Sequence, residues 1–174
     1  MESINWEAIS ALAEIIGVVA VAASLVFVGL QIMQNTQATK VAAVQNITSD
    51  LRALNFQVGA DGDFSKILYN GWIHPGSLDT DDQFRHNNIM TGTMQIFLNM
   101  FYQQNKGTFD DELFVPYLNY LRVICALPGV QIYWSDRAGW YPDDFRNFME
   151  REIFAKADDT IYRKYLESEP APNS

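Results

Sequence analysis

The first sixty residues carry a long hydrophobic run that no proline interrupts. Residues 15 to 39 contain no charged side chain, and Ser24 is the only polar one between Ile15 and Leu30. About 20 mostly apolar residues allow a helix to cross a hydrocarbon core of about 30 Å. A helix that is apolar on all sides is buried either in lipid or in protein. The run predicts a transmembrane helix, and the alternative is the central core helix of a soluble bundle.

One face of this helix is predicted to consist of small or polar side chains. Ser10, Gly17, Ser24 and Gln31 recur at intervals of seven, as a helix in a parallel bundle requires. Small side chains allow close helix contact in a bilayer, and Ser or Gln can hydrogen-bond across it. The pattern predicts a homo-oligomer, or a complex with another membrane protein, and the alternative is a simple anchor. The predicted contact surface, called the small-residue face below, comprises Ser10, Ala13, Glu14, Gly17, Ala20, Ser24, Gln31 and Asn35.

Glu14 is the one ionisable group at the edge of the apolar run. A carboxylate inside a membrane usually faces a bundle interior or water. An ion-conducting oligomer with Glu14 and Gln31 lining a pore is therefore an alternative function. In the simpler interpretation, Glu14 lies at the headgroup level and is solvated. Lys40 and Arg52 follow the run and no Lys or Arg precedes it, which favours an outside N-terminus and a cytoplasmic body.

The helix is predicted to continue well beyond the membrane, because no Gly or Pro occurs from residue 31 to residue 58. One helix from Asn5 to Val58 would be roughly 80 Å long at about 1.5 Å per residue. Apolar residues at intervals of three and four predict a stripe that packs on the rest of the chain. The stripe contains Val41, Val44, Ile47, Leu51, Leu54 and Val58.

The later hydrophobic patterns predict an all-α fold, with a bundle of about four further helices packed on the long one. Thr80 and Gln83 have the spacing of a capping box, and Thr108 or Asp110 is expected to cap the next helix. The predicted organisation is a leader and transmembrane helix (1–34), a cytoplasmic helical domain (35–166) and a disordered tail (167–174). The predicted helices are Phe64–Trp72, Thr80–Asn105, one ending near Ile124, a short one within Val130–Trp140, Asp143–Lys156 and Asp159–Leu166.

The charge and cysteine content narrow the possible partners and compartment. The 174-residue chain has a net charge of −9 and a pI near 4.5. This argues against nucleic acid as a binding partner, because its phosphates require a positively charged protein surface. Attraction to anionic headgroups is disfavoured as well, so contact with membrane lipid would be hydrophobic insertion. Cys125 is the only cysteine and fits a reducing compartment.

No catalytic, metal or cofactor signature is present in the sequence, so an enzyme is not predicted. His74 and His86 are not at ligand spacing and are expected at the surface, and Cys125 is expected to be an inert buried thiol. A dense aromatic group suggests a tethered ligand-binding bundle as a further alternative, although core packing requires the same side chains. The group comprises Trp72, Tyr133, Trp134, Trp140 and Tyr141.

The segment from Asn5 to Ala38 resembles the N-terminal helix of a group of small bacterial proteins that have no assigned activity. In that group a Glu-Ile/Val-Gly sequence begins an apolar helix, and the helix ends with the pattern Gln-Ile-x-x-Asn-Thr. Gln31 to Thr36 matches the closing pattern, whereas Glu14 to Gly17 contains one additional isoleucine. Gly139 to Phe145 resembles the group's C-terminal segment more loosely. The resemblance implies a membrane-anchored helical protein and no particular chemistry.

Overall fold

The computed structural model describes residues 6–167, and these residues form helices without a β-strand. The predicted all-α fold is therefore confirmed. Short 3₁₀ turns lie at Pro75–Ser77, Ala138–Trp140 and Phe154–Lys156, and a π-helical segment covers Met149–Ile153. The α-helices are α1 (Trp6–Ala60), α2 (Gly62–Ile73), α3 (Thr80–Asn105), α4 (Asp111–Cys125), α5 (Pro128–Arg137), α6 (Asp143–Phe148) and α7 (Thr160–Glu167).

The chain divides into two compact units, residues 1–42 and residues 43–174. The first unit consists of the N-terminal part of α1. The second contains the remainder of α1 together with α2 to α7, and it is called the helical domain below. Except for Glu167, which ends α7, the predicted tail lies outside the described residues.

The C-terminal part of α1 belongs to the core of the helical domain. Ile47 is completely buried, and Ala43 and Leu51 are buried beside it. Val41 was predicted in the same stripe, but its side chain is 45% exposed. The reason is angular, because each residue advances by about 100° and position 41 lies about 120° away from Ile47 around the helix.

Helix α3 supplies the largest share of the core. Its buried side chains recur at intervals of three and four, so they form one stripe. The stripe faces aromatic residues of the C-terminal helices, and the Phe101 ring lies 5.5 Å from the Phe145 ring and 4.8 Å from the Phe148 ring. The buried α3 residues are His86, Met90, Thr93, Met94, Phe97, Met100 and Phe101.

Two local predictions are corrected by the structure. The N-cap of α3 is Asp79, whose Oδ1 accepts a hydrogen bond from the Asp82 amide at 2.8 Å, and Thr80 is already helical. The Asp79 carboxylate, one residue before Thr80, therefore caps the helix in place of the predicted capping box. The predicted helix Asp143–Lys156 is helical but changes to π geometry at Met149. In an α-helix, side chains four positions apart differ by about 40° in their direction around the helix axis. The wider π-helical turn rotates each residue by a smaller angle and so offsets this difference. Met149 and Ile153 therefore both remain on the core side, where they are fully buried.

Candidate functional site

Helix α1 is long and apolar enough to cross a membrane. Fourteen large apolar side chains between Ile9 and Met33 are exposed by 48% to 69%. The α4–α5 pair is also apolar over its combined length, but it bends by 95° and its Ile124 and Val130 side chains are completely buried in the helical domain. The exposed apolar surface of α1 is therefore the candidate membrane-spanning surface.

All eight predicted residues of the small-residue face are exposed along α1. A Cβ atom added at Gly17 would meet no heavy atom within 4 Å, and the same holds at Gly29, which lies about 120° away around the helix. Within the helical domain, Asn46 and Ser49 of α1 are exposed as well. The face is thus available over its whole length for contact with another helix.

Three hydroxyl groups of α1 are satisfied within the helix itself. The Ser24 hydroxyl donates to the Ala20 carbonyl at 2.8 Å, and the Thr36 and Thr39 hydroxyls donate to the carbonyls of Ile32 and Asn35 at 2.9 Å. This i−4 bonding allows a hydroxyl to enter an apolar medium without an unpaired donor. Gln31 has an amide with two donors and one acceptor, and its exposed side chain offers them to a neighbour.

The predicted aromatic group is divided between the core and the surface. Tyr133, Trp134 and Tyr141 are buried, with the Trp134 and Tyr141 rings stacked at 5.3 Å. Trp72 is half-buried and its indole N–H lies 3.2 Å from the Met90 sulfur. Trp140 is 69% exposed. The structure thus brings together three of the five residues in packed contact and places Trp140 outside that contact.

A directed chain of hydroxyl groups crosses this aromatic core. The Thr91 hydroxyl donates to the Asn87 carbonyl and lies 2.9 Å from the Tyr133 hydroxyl, which lies 2.8 Å from that of Tyr141. Each hydroxyl has one proton, so Tyr133 must donate to Thr91 and Tyr141 must donate to Tyr133. Burial, followed by the hydrogen bond to Tyr133, raises the pKa of Tyr141. Tyr141 therefore remains protonated at physiological pH and can donate within this network.

Arg137 lies at the edge of the aromatic core. Its guanidinium carbon is 5.2 Å from the centre of the Tyr133 ring and 5.4 Å from the centre of the Trp140 ring. Both distances suit cation–π attraction, which contributes about 0.5–1 kcal/mol at an exposed site. Trp140 is consequently held at the surface by Arg137.

His86 was predicted at the surface, and the structure corrects this. Its residue exposure is 3%, and its Nε2 atom makes no hydrogen bond. The ring fits because it lies against Gly71 of α2, where a Cβ would be 2.0 Å from the imidazole Cδ2. Burial, with a smaller effect of the Arg137 charge, lowers the pKa of His86 from 6.5 to about 4. A glycine within the otherwise bulky helix Gly62–Ile73 is the sequence signal for such a close approach.

Cys125 is completely buried, as predicted, and burial raises the pKa of its thiol. A thiol in this environment is a poor nucleophile because the reactive thiolate is suppressed. Within the described part of the chain, no cluster of three or more His, Cys, Asp or Glu side chains has the arrangement of a metal site. No family model matches this chain, and comparisons with curated proteins and with solved structures likewise give no match.

Proposed function

We propose that this chain is a single-pass membrane protein that associates through its N-terminal helix, either with copies of itself or within a larger membrane complex. Its role is structural or that of a partner subunit. In this proposal the apolar surface of α1 contacts lipid and the small-residue face contacts the neighbouring helix. The resemblance of residues 5 to 38 to membrane-anchored bacterial proteins agrees with the first half of the proposal.

The exposed apolar surface of α1 carries the membrane part of the proposal. Burying an aliphatic side chain of this size contributes about 1.5 kcal/mol or more. For the fourteen exposed side chains between Ile9 and Met33, the total is about 20 kcal/mol, which exceeds the stability of an ordinary domain. Such a surface requires a cover of lipid or of other helices.

The distribution of polar groups on α1 supports association. The Ser24 hydroxyl is bonded to its own helix, so it can enter lipid at little cost. The Gln31 amide is exposed near the end of the apolar run, and a neighbouring helix would provide its partners. Small residues on the same face, such as Gly17 and Ala20, allow that helix to approach.

The proposed orientation places the N-terminus outside and the helical domain in the cytoplasm. Lys40 and Arg52 lie after the apolar run, in agreement with the rule that positive charges remain inside. The free, buried Cys125 is compatible with a reducing compartment. Protease protection in sealed inside-out vesicles measures the orientation, because a cytoplasmic domain is degraded there without detergent.

Membrane fractionation followed by mass measurement tests the proposal. The full chain should sediment with membranes, remain there after alkaline wash, and require detergent for extraction. Light scattering of the detergent complex, corrected for bound detergent, should then give a multiple of the 19.8 kDa chain mass. A chain that stays monomeric and soluble without detergent contradicts both parts, and a monomer in detergent contradicts self-association alone.

A further inference from the structure

The helical domain has an open, largely apolar groove between α1 and α3, next to the start of α2. Its volume is about 500 Å³. It continues into a second hollow of about 480 Å³, with Phe64, Asn88 and Ile89 lining both. We call the two hollows together the α1–α3 groove. Its apolar lining consists of Ala53, Leu54, Phe64, Ile67, Ile89 and Ile96.

The groove is open because α3 has a glycine where it faces α1. A Cβ atom at Gly92 would meet no heavy atom within 4 Å. The neighbouring Thr93 is buried, and its hydroxyl donates to the Ile89 carbonyl at 2.9 Å, so its donor is already satisfied within α3. At the other end, the Phe84 side chain is 70% exposed. Apolar surface therefore remains accessible along the groove.

The rim of the groove is negatively charged. Asp50 lines the first hollow, and Asp61 and Asp63 line the second. Asp61 is the N-cap of α2, and its Oδ1 accepts hydrogen bonds from the amides of Asp63 and Phe64 at 3.0 Å. The one cation in the lining, Arg85, is 3.8 Å from Asp82 outside the groove. The rim therefore attracts cations and repels anionic headgroups.

We propose that the α1–α3 groove binds an amphipathic helix of another protein, whose apolar side chains fill the groove and whose Lys or Arg side chains face Asp50, Asp61 and Asp63. The lining on α3 extends from Phe84 to Ile96, which is about 18 Å at the rise of an α-helix. Apolar anchors at i, i+3 or i+4, and i+7 of a bound helix span about 10 Å and fit this length. A second copy of this chain carries a net charge of −9 and is disfavoured by the same rim.

Peptide binding to the full chain in zwitterionic lipid nanodiscs tests the proposal. The probe is a synthetic helix with a Leu stripe at i, i+3, i+4 and i+7 and with Lys on its flanks, and binding to empty nanodiscs is subtracted. One matched peptide carries Glu in place of Lys, and another has its Leu positions scrambled. The Lys peptide should bind, and each matched peptide should bind at least about tenfold more weakly.

Variants of the groove provide the decisive comparison. Gly92→Leu fills the groove and should weaken binding by about tenfold, whereas Gly139→Leu, at another glycine with open space around it, should leave it unchanged. Ala53→Leu fills the groove from α1 and should weaken binding in the same way, so it replaces Gly92→Leu in the test if that variant does not fold. Asp50→Asn with Asp63→Asn should weaken binding by about three- to tenfold and reduce its salt dependence. The control pair is Glu112→Gln with Glu150→Gln, on exposed residues outside the groove.

Four results would overturn the proposal. The first is the absence of Lys-peptide binding to the wild-type chain, and the second is equal binding of the Glu peptide. The third is binding that neither Gly92→Leu nor Ala53→Leu changes. The fourth is a lower oligomer mass in the Gly92→Leu variant, which would assign the groove to a second copy of this chain.

Discussion

Gly129, in the first turn of α5, lies directly against the carbonyl group of Gly71 on α2. A Cβ atom at position 129 would be 1.7 Å from the Gly71 oxygen and 3.2 Å from the Trp72 Cα. Gly71 also faces the His86 ring of α3, so three helices meet at two glycines. The absence of side chains at these positions allows the backbone of α2 to approach both neighbours.

Replacement of Gly129 by alanine should destabilise the helical domain by about 2–4 kcal/mol, because backbone atoms rather than a flexible side chain occupy the required space. Thermal and denaturant unfolding of the full chain in detergent, followed by tryptophan fluorescence, measures the change. Gly92→Ala is the matched control, since its Cβ has open space, and it should stabilise the protein by up to about 1 kcal/mol. Equal stability of the two variants would contradict the close approach of α5 to α2.

The stability of the domain should decrease as the pH falls from about 6.5 to about 4. The pKa of His86 is lowered from 6.5 to about 4 by burial, so in this interval the unfolded chain binds a proton that the folded chain does not. The resulting loss is about 2–3 kcal/mol at pH 4, because about 1.4 kcal/mol per pKa unit sets an upper limit of about 3.5 kcal/mol and solvent screening reduces it. The contribution is fully present above pH 6.5 and absent below pH 4.

His86→Gln isolates this contribution, because glutamine has no proton to gain and carboxylates titrate equally in both proteins. Between pH 7 and pH 4, the unfolding free energy of the variant should decrease by about 2–3 kcal/mol less than that of the wild-type chain. Parallel curves for the two proteins would show that His86 is not buried in its neutral form.

The hydroxyl chain predicts unequal effects for its two tyrosines. Tyr133→Phe removes both the donor to Thr91 and the acceptor for Tyr141, which leaves the Tyr141 hydroxyl without a partner in the core. Tyr141→Phe leaves the bond from Tyr133 to Thr91 intact. The first change should cost about 1–3 kcal/mol and the second about 1 kcal/mol.

A double-mutant cycle with Tyr133→Phe and Tyr141→Phe measures the coupling, which should be about 0.5–2 kcal/mol because the two hydroxyls share one hydrogen bond. Tyr120→Phe, at a residue that is 39% exposed, provides a control with little expected effect. Additive single-mutant energies, or a larger cost for Tyr141→Phe, would contradict the donor order along the chain.

The long elements of this fold could be predicted from the sequence, because their patterns are repeated over many turns. α1 ends within two residues of the predicted Val58, and α3 ends at the predicted Asn105 but already includes Thr80, which was predicted as its cap. The burial of Ile47 and Leu51 followed from the same periodicity. The apolar run and the small-residue face are likewise properties of one helix alone, so the candidate surface of α1 was accessible to sequence analysis.

The burial of His86 and the α1–α3 groove could not be predicted from the sequence, because each depends on two helices that are separated along the chain. His86 is buried because Gly71, fifteen positions earlier, has no side chain. The α1–α3 groove exists because Gly92 leaves space opposite Ala53 and Leu54. Neither relationship has a periodic signature along the chain. Trp134 and Trp140 each stand next to a tyrosine in the sequence, yet Trp134 is 6% exposed and Trp140 is 69% exposed. Trp134 belongs to α5, whereas Trp140 lies in the 3₁₀ turn Ala138–Trp140 that follows it.

Replacement of Gly17 by leucine should weaken self-association of the full chain. Gly17 lies on the small-residue face, where a large side chain would hold neighbouring helices apart, whereas Gly29 lies about 120° away, on the side of α1 that is proposed to contact lipid. Both positions have open space around them, so neither substitution disturbs the isolated chain. Gly29→Leu is therefore a control of identical chemistry on the same helix. Light scattering in detergent should show a lower mass for Gly17→Leu and an unchanged mass for Gly29→Leu, and the reverse result would place the contact on the face of α1 that contains Gly29.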